Sequence, residues 1–267
     1  MNKHLSFVLA IAVMTAAVAA AQTSGPAAAG QTTSHPDLSG TWLFSIDLPP
    51  LAIKRQVNGA VTVKGIDASG RRPAAAVPGA LPSTPEPSYK PELRAKVKDL
   101  FDHESRTDNV FYCGKPGVPR IGSPRRIIQL PNEMVFLYED ISGDPYRIIP
   151  TDGRAHKKDP NPSYYGDSVG RWEGNVLVVD AVGFVEDTWF GEGGYFHSDA
   201  MHVTERFWRN GANLVYQVTV DDPKVLTAPW TMPAREVKPS TEPLEESPHC
   251  TEQDGKLLQN DDHHGQR

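Results

Sequence analysis

The stretch from residue 125 to residue 220 alternates short apolar runs with tight polar turns. Three pairs of such runs follow one another, each joined by a turn that contains Asn: RRIIQL and MVFLYED, SVGRW and VLVVDAVGF, MHVTERFW and LVYQVTV. Alternating runs joined in this way predict antiparallel hairpins, and a meander of hairpins has to close or stack to protect its edges. The sequence therefore predicts an all-β fold, an antiparallel meander closed into a barrel or stacked as a curved sandwich.

Upstream of the meander, the sequence predicts one short helix and long loops. A strand is expected from Thr41 to Ile46, and GAVTVKGID is a second alternating run that could pair with it. Residues 69–90 are rich in proline and lack a period, which predicts a loop insertion. A helix is expected over residues 91–102. Its apolar face is formed by Leu93, Val97, Leu100 and Phe101. We interpret residues 37–252 as a single β domain.

The first residues have the three parts of a secretory signal peptide. A lysine near the start, an apolar run and small residues before Gln22 predict that residues 1–21 are cleaved. A membrane anchor is the alternative, but the apolar part is short for a bilayer crossing. Residues 22–36 have the composition of a flexible leader, and residues 253–267 that of a disordered tail. We expect export to the periplasm or the cell exterior.

The charge of the chain argues against two classes of partner. Loss of the signal peptide removes Lys3 and no acidic residue, which leaves 26 basic and 33 acidic residues and a formal charge of −7. A chain with this net negative charge lacks the excess of basic residues that binds the phosphates of nucleic acids or the anionic lipids of a membrane surface. We therefore expect no nucleic-acid partner and no membrane span, and a small molecule as ligand or substrate.

The chain has two cysteines, Cys113 and Cys250. An even pair in an oxidising compartment usually forms a disulfide, and one that closes so long a loop contributes about 4 kcal/mol in the chain-entropy treatment. Two inert thiols or a nucleophilic thiol are the alternatives. No Cys-x-x-Cys spacing favours redox chemistry or zinc. The sequence predicts a bridge between Cys113 and Cys250.

Side-chain parity in two strands predicts where the acidic groups point. In the strand that begins at Met201, Glu205 shares a side with Met, Val and Phe, so it is expected to point inward. A buried carboxylate needs a cation or hydrogen-bond donors. The candidates are Arg147, His197 and Tyr138. Asp180 lies in a strand that is apolar on both sides, so it is expected to be at least partly buried.

The segment VEDTWFGEGGYFHSDA, residues 185–200, joins two of the strands and combines acids, glycines and aromatics. Such a composition suits a mobile flap over a barrel mouth, and simple capping of the barrel by the aromatics is the alternative. Four aromatic side chains, three of them in this segment, are the candidate substrate contacts: Trp189, Phe190, Tyr195 and Trp42.

Two sets of residues resemble known families. LSGTW is similar to the Gly-x-Trp start of lipocalin-like (calycin-type) barrels, in which the tryptophan closes one end. GDSVGRWEGNVLVVDAVGF, HSDAMHVTERF and VTVDDP resemble a family of exported bacterial proteins, over roughly residues 36–252. The resemblance implies secretion and a lipocalin-like β fold, and it implies no particular activity.

The clustering of ionisable residues favours an acid–base enzyme without a redox cofactor. His197 or His202 is the candidate base, with Glu205 or Asp180 as the carboxylate that orients it. Two further groups would stabilise negative charge: Arg147 and Tyr138. A lyase, isomerase or hydrolase acting on a small organic or sugar-like molecule fits this set. For each residue taken singly, a packing role is the alternative.

Two other functions compete with catalysis. A non-catalytic barrel that carries or sequesters a small molecule would use Trp42, Trp189 and Tyr138. A divalent metal at His197, with His156 or Asp180 completing the set, is the other alternative; His197 and His202 are five residues apart and would lie on opposite faces of one strand. We predict no cofactor and no metal.

Overall fold

The structure, a computed structural model, describes residues 35–43, 54–57, 60–63, 84–140 and 142–251, with residues 54–57 and 60–63 described by their backbone only. The predicted signal peptide, nearly all of the leader, most of the proline-rich insertion and the C-terminal tail lie outside these residues. Among the helices of the described part, none combines the length and the apolar character that a bilayer crossing requires.

The described residues are mostly β-strand, with short helices before the meander. The strands are β1 (Gly40–Thr41), β2 (Lys54–Val57), β3 (Ala60–Val63), β4 (Arg126–Gln129), β5 (Glu133–Leu137), β6 (Tyr146–Pro150), β7 (Asp167–Glu173), β8 (Val176–Val182), β9 (His202–Asn210), β10 (Asn213–Asp221), β11 (Trp230–Thr231) and β12 (Arg235–Val237). The helices are α1 (Arg94–Asp102), which follows a 3-10 turn over Pro91–Leu93, and α2 (Glu104–Thr107), which precedes a 3-10 turn over Asn109–Tyr112.

Two antiparallel sheets carry the fold. The smaller sheet has the order β1-β4-β5-β6, and the larger sheet has the order β11-β10-β9-β8-β7, with β12 also paired to β10. The three long hairpins of the meander, β4–β5, β7–β8 and β9–β10, are those that the alternating runs and tight turns predict. The all-β prediction is confirmed at this level.

The two sheets meet along both sides but do not form a closed barrel in the described residues. On one side, β1 is joined to the segment after β12 by two backbone hydrogen bonds, Leu43 N to Lys238 O (2.9 Å) and Ser240 N to Thr41 O (2.8 Å). On the other side, β6 lies beside β7 without a shared ladder of hydrogen bonds. A curved sandwich, the second form predicted for the meander, is compatible with this arrangement.

The strand pairing near the N-terminus differs from the expectation. The run that contains β3 pairs with β2, and β1 instead pairs with β4 through Gly40–Ile127 and Thr41–Arg126. The helix prediction is confirmed, because the 3-10 turn and α1 together cover residues 91–102. Its apolar face is only partly buried: three side chains contact the core, whereas Phe101 is 39% exposed.

The core lies between the inward faces of the two sheets. Phe136 of β5 packs edge-on against Phe207 of β9, with ring centroids 5.0 Å apart. Gly170 of β7 allows the sheets to approach closely, since a Cβ at this position would lie 2.9 Å from Thr151 and 3.2 Å from Ile149. This approach brings the side chains of β6 within reach of those of β7 and β9.

The predicted disulfide is confirmed. Cys113, at the end of the 3-10 turn that follows α2, is bonded to Cys250 across a sequence separation of 137 residues. The bridge fastens the C-terminal segment to the helical region. Two hydrogen bonds fasten the same segment to the loop between β5 and β6: Glu245 N donates to the carboxylate of Glu139 (2.8 Å), and Ser247 N donates to the carboxylate of Asp144 (3.1 Å).

Candidate functional site

The larger sheet has two faces, and each carries a polar cluster. On β9, Val203, Glu205 and Phe207 face the core, whereas His202, Thr204 and Arg206 face away from it. We call these the inner face and the outer face. Asp180 of β8 is paired with Thr204, so its side chain lies on the outer face. The predicted acidic residues Glu205 and Asp180 are therefore on opposite sides of one sheet.

On the outer face, Asp180 binds two histidines through its two oxygens. Its Oδ2 lies 2.8 Å from Nε2 of His202, and its Oδ1 lies 2.7 Å from Nε2 of His156. His156 belongs to the loop between β6 and β7. Its Nδ1 lies 2.9 Å from Oδ2 of Asp167, the first residue of β7. The four side chains form one hydrogen-bonded series, Asp167–His156–Asp180–His202, which we call the outer-face chain.

Hydrogen bonds within the outer-face chain shift the pKa values of its two carboxyl groups and of His202. The hydrogen bond from His202 lowers the pKa of Asp180 to about 2, although burial acts against it. Burial also acts to raise the pKa of Asp167, but hydrogen bonds from His156 and Lys157 lower it below its ordinary value. Both carboxyl groups are thus ionised at neutral pH. In return, the hydrogen bond with Asp180 raises the pKa of His202 above 6.5.

The outer-face chain ends in an imidazole that solvent can reach. The side chain of His202 is 42% exposed, against 21% for Asp180 and 23% for His156. Nε2 of His202 faces Asp180, and Nδ1 has no hydrogen-bond partner among the described residues. An imidazole oriented by a carboxylate, with its other nitrogen open to solvent, is a competent proton acceptor or donor.

On the inner face, Glu205 forms an ion pair with Arg147 of β6. Glu205 Oε2 lies 2.6 Å from Arg147 Nη1, and both side chains are at most 3% exposed. Arg147 also donates to Tyr138 Oη (3.2 Å) and to Ser168 Oγ (2.9 Å). Tyr216 Oη donates to Glu205 Oε1 across 3.3 Å. The structure thus joins Glu205, Arg147 and Tyr138, as parity and the cost of a lone buried charge predict.

The inner cluster is closed to water. Glu205 has no exposed surface, and Tyr138 and Tyr216 are each 2% exposed. Burial raises the pKa of both phenols well above 10, so neither ionises at ordinary pH. The carboxylate of Glu205 and the guanidinium of Arg147 neutralise each other, and the phenols of Tyr138 and Tyr216 hydrogen-bond to them. A buried ion pair with such partners can be accommodated in a packed core. The arrangement accounts for how the two sheets are held together.

His197 lies apart from both clusters. Its Nδ1 donates to the carbonyl oxygen of Ser198 (2.9 Å), and its Nε2 lies 2.8 Å from Thr188 Oγ1. Burial lowers the pKa of His197, which is 3% exposed. Both ring nitrogens are therefore occupied in the neutral form, and the ring fastens the end of the flap to its beginning.

The flap, residues 185–200, lies against α1. Gly194 has a φ of +78°, and a Cβ there would lie 2.4 Å from the carbonyl oxygen of Val97, so glycine permits this contact. Beneath the flap, a narrow cleft encloses about 20 Å³. It is lined by aromatic, apolar and basic side chains that include Phe190, Tyr195, Tyr216, Val218, Trp230 and Arg120.

Two of the four predicted substrate contacts line this cleft, and two do not. Phe190 and Tyr195 belong to its wall. Trp189, which is 4% exposed, pairs with Phe196 within the flap. Trp42 packs under Arg209, 4.5 Å from the guanidinium carbon to the ring centroid, in the contact between β1 and the segment after β12.

Several residues of these sites were not among the predicted catalytic or substrate-binding residues. His156 and Asp167 complete the outer-face chain, and Tyr216 completes the inner cluster. In the flap, Glu192 follows the cleft residue Gly191, and burial raises its pKa to about 7. The contacts of His156 and Asp167 join a loop to the sheet, and no local sequence pattern reveals them. Tyr216 lies on β10, the hairpin partner of β9, on the same face as Glu205, so strand parity could have revealed its contact.

Ser168 lies in the sequence Gly166-Asp-Ser-Val-Gly170, which has the Gly-x-Ser-x-Gly spacing of the nucleophile elbow in α/β-hydrolases. In that motif the serine occupies a sharp turn between a strand and a helix. Here Ser168 lies inside β7 of an antiparallel sheet, and its hydroxyl accepts from Arg147. The spacing therefore does not indicate a hydrolase triad in this fold.

Metal binding finds no support in the described residues, where no group of three or more His, Cys, Asp and Glu side chains is arranged to hold an ion. His197 and His202 do not converge: one lies in the flap and the other on the outer face. The outer-face chain brings together two histidines and an aspartate, but each imidazole Nε2 faces a different oxygen of Asp180.

Comparison with known proteins found no family model that matches the chain, and no curated protein and no solved structure that is similar to it. The resemblance to lipocalin-like barrels and to exported bacterial proteins stays a prediction. Function is therefore inferred from geometry.

Proposed function

We propose that the protein is an exported acid–base enzyme whose catalytic group is His202. It would act without a redox cofactor on a small organic or sugar-like molecule, as a lyase, isomerase or hydrolase. The observation that supports this proposal is the outer-face chain, because it orients one partly exposed imidazole through Asp180 at 2.8 Å. The disulfide between Cys113 and Cys250 supports export to an oxidising compartment.

In this proposal Asp180 fixes the tautomer of His202. A carboxylate only accepts hydrogen bonds, so the neutral ring carries its proton on Nε2 and presents a lone pair on Nδ1. Nδ1 takes a proton from the substrate, and Asp180 stabilises the imidazolium that forms. The same ring then returns the proton to a leaving group or to a neighbouring carbon, which is the requirement of an elimination or an isomerisation.

His156 and Asp167 act as positioning residues. His156 holds the second oxygen of Asp180 at 2.7 Å, and Asp167 holds the other nitrogen of His156 at 2.9 Å. These contacts restrict rotation of the Asp180 carboxylate and so keep its free oxygen directed at His202. Loss of either contact would misplace the base without removing it.

The proposal is tested by turnover. A panel of aryl esters, lactones, β-hydroxy carbonyl compounds and aryl glycosides is offered to the purified protein, and active compounds are then offered to His202→Ala and Asp180→Asn. We expect kcat/KM to fall by about 10²- to 10⁴-fold in His202→Ala. Gln217→Ala, which alters the same face without contacting the outer-face chain, is the control. Full turnover by a folded His202→Ala protein, or none by the wild type, would contradict the proposal.

The cleft under the flap supports a second candidate function, the carriage of a small apolar molecule. Four aromatic side chains line it: Phe190, Tyr195, Tyr216 and Trp230. The guanidinium of Arg120, which also lines the cleft, is bound to the carboxylate of Asp108 by two hydrogen bonds of 2.7 Å. A cleft of about 20 Å³ admits a ligand only if the flap moves. Quenching of tryptophan fluorescence by aromatic ligands tests this function, and Phe190→Ala should weaken binding while His202→Ala should not.

A further inference from the structure

The face of the smaller sheet that points away from the core carries apolar side chains that are exposed among the described residues. Four of the seven exposed large apolar side chains of the described part lie on it: Ile128 (37%), Leu130 (41%), Tyr146 (65%) and Ile148 (54%). Half-buried Val135 and Leu137 of the central strand β5 fill the space between them. We call this surface the apolar sheet face. A contiguous apolar surface of this kind usually marks an interaction site.

The register of the sheet places the apolar residues in the middle and one charge at each end. Ile128, Val135 and Ile148 form the central row across β4, β5 and β6. One row toward one end, Arg126 lies beside Leu137 and Tyr146. One row toward the other end, Glu133 lies beside Pro150. Arg126 and Glu133 are thus separated by four residues along the strands, about 13 Å.

Neither terminal charge has an ion-pair partner among the described residues. Arg126 is exposed and Glu133 half-buried, so both can meet a partner that covers the face. Arg154 is close enough to Glu133 for a weak electrostatic effect, but its guanidinium is bound to the carboxylate of Asp152, at 2.6 Å. At the ends of the apolar sheet face, Arg126 and Glu133 are therefore available for ion pairs with a partner molecule.

We propose that the apolar sheet face is covered by a second copy of this chain. A two-fold axis that lies in the interface and crosses the strands at the central row would invert the face end for end. The central apolar row would then meet the central row of the partner. Because Arg126 is on β4 and Glu133 is on the neighbouring strand β5, an axis tilted slightly from the perpendicular to the strands brings Arg126 opposite Glu133 of the partner subunit, twice per dimer. Self-complementarity of this kind selects a second copy over an unrelated protein, because one surface supplies both halves of every contact.

The size of the face sets the expected strength of the dimer. Three strands of five residues cover roughly 15 Å by 17 Å, which is below the area of a standard interface. The association is therefore weak and concentration-dependent. Sedimentation velocity between about 1 µM and 300 µM should show the wild-type chain shift from monomer to dimer.

Charge reversal tests the arrangement. We expect Arg126→Glu and Glu133→Arg each to weaken self-association at least tenfold, because each places like charges opposite one another twice. A mixture of the two variants should associate at least as well as the wild type, because every pair at the interface then has opposite signs. The double variant should also dimerise. Glu86→Arg, an exposed charge reversal elsewhere, is the control and should leave the dimer unchanged.

A second variant addresses the apolar part. Ile148 is 54% exposed, so Ile148→Asp removes nothing from the core and should abolish dimerisation without a change in the circular dichroism spectrum. A wild-type chain that stays monomeric throughout the concentration range would overturn the proposal. So would a dimer that persists in both single charge variants and in Ile148→Asp, since it would use another surface.

Discussion

The inner and outer faces of the larger sheet each hold a carboxylate bound to a basic side chain, in different surroundings. Inside, Glu205 meets Arg147 at 2.6 Å with almost no exposed surface. Outside, Asp180 meets His202 at 2.8 Å with an imidazole that is 42% exposed. A charge without access to solvent can hold sheets together, but it cannot exchange protons with a substrate. The difference teaches that access to solvent decides which of the two clusters could exchange protons, and it is the reason that the catalytic role is proposed for the outer one.

The largest expected effect concerns the inner face. Glu205→Gln leaves the guanidinium of Arg147 buried without a counter-charge, and we expect a loss of about 3–5 kcal/mol in the free energy of unfolding. Urea denaturation at pH 7 measures it. The matched control is Glu173→Gln, which removes a carboxylate bound to Arg206 at 2.8 Å on the exposed side and should change stability by less than about 1 kcal/mol. Equal losses in the two variants would contradict the contrast between the faces.

A double substitution sharpens this contrast. Arg147→Met with Glu205→Leu removes both charges together, and most of the stability lost in Glu205→Gln should return, because no unpaired charge is left in the core. A double variant as unstable as the single one would show that the ion pair itself is indispensable to the packing of β6 against β9.

The next effect comes from the phenol that borders the inner ion pair. Tyr138→Phe removes the oxygen that accepts from Arg147 Nη1 at 3.2 Å and changes little else in shape. We expect a loss of about 1–3 kcal/mol in the free energy of unfolding, measured by urea denaturation. Ser168→Ala removes the other hydroxyl that accepts from Arg147 and serves as the matched comparison. A loss below a few tenths of a kcal/mol in both would show that water replaces these acceptors.

Sequence patterns predict the hairpins because their information is local. Alternation over five to nine residues and a tight turn suffice to pair β4 with β5, β7 with β8 and β9 with β10. The partner of β1 is not encoded in this way. Its pairing with β4 joins residues that are more than eighty positions apart, and either partner would satisfy its alternation. The absence of hydrogen-bonded pairing between β6 and β7 in the described residues also cannot be read from local sequence, because it depends on the curvature of both sheets.

The site was predictable where physics left few solutions. Parity turns Glu205 inward, and a buried carboxylate requires a cation or donors, which limited its partners to Arg147, His197 and Tyr138. The structure places Arg147, on β6 of the opposite sheet, against it. Asp180 had no such constraint, because its strand is apolar on both sides. Its contact with His156 depends on where the loop between β6 and β7 crosses the sheet. The structure places His197 in the flap, against Thr188 and apart from Asp180 and Glu205, and local sequence does not determine how the flap packs.

A smaller effect concerns the acid limb of stability. The pKa of Asp180 is lowered from 3.8 to about 2 in the fold, so its contribution is complete above pH 3.8 and is lost as pH falls toward 2. We expect about 1 kcal/mol, since solvent screens a group that is partly exposed. Urea denaturation at pH 5 and at pH 2.5 should show a smaller loss of stability in Asp180→Asn than in the wild type, because only the other carboxyl groups with lowered pKa, such as Asp167, still contribute to it. Equal drops in both proteins would contradict it.

The smallest effect is the titration of His202 itself. Asp180 raises the pKa of His202 above 6.5, so the stabilisation from this pair is complete below pH 6.5 and is lost as pH rises through the higher folded value. Histidine resonances followed by NMR from pH 5 to pH 9 should show the midpoint of His202 fall toward 6.5 in Asp180→Asn. Ser168→Ala, on the inner face of the same sheet, should leave that midpoint in place, because Ser168 contacts Arg147 and not the outer-face chain. A midpoint that moves equally in both variants would mean that the two faces are electrostatically coupled, and the division of roles between them would then fail.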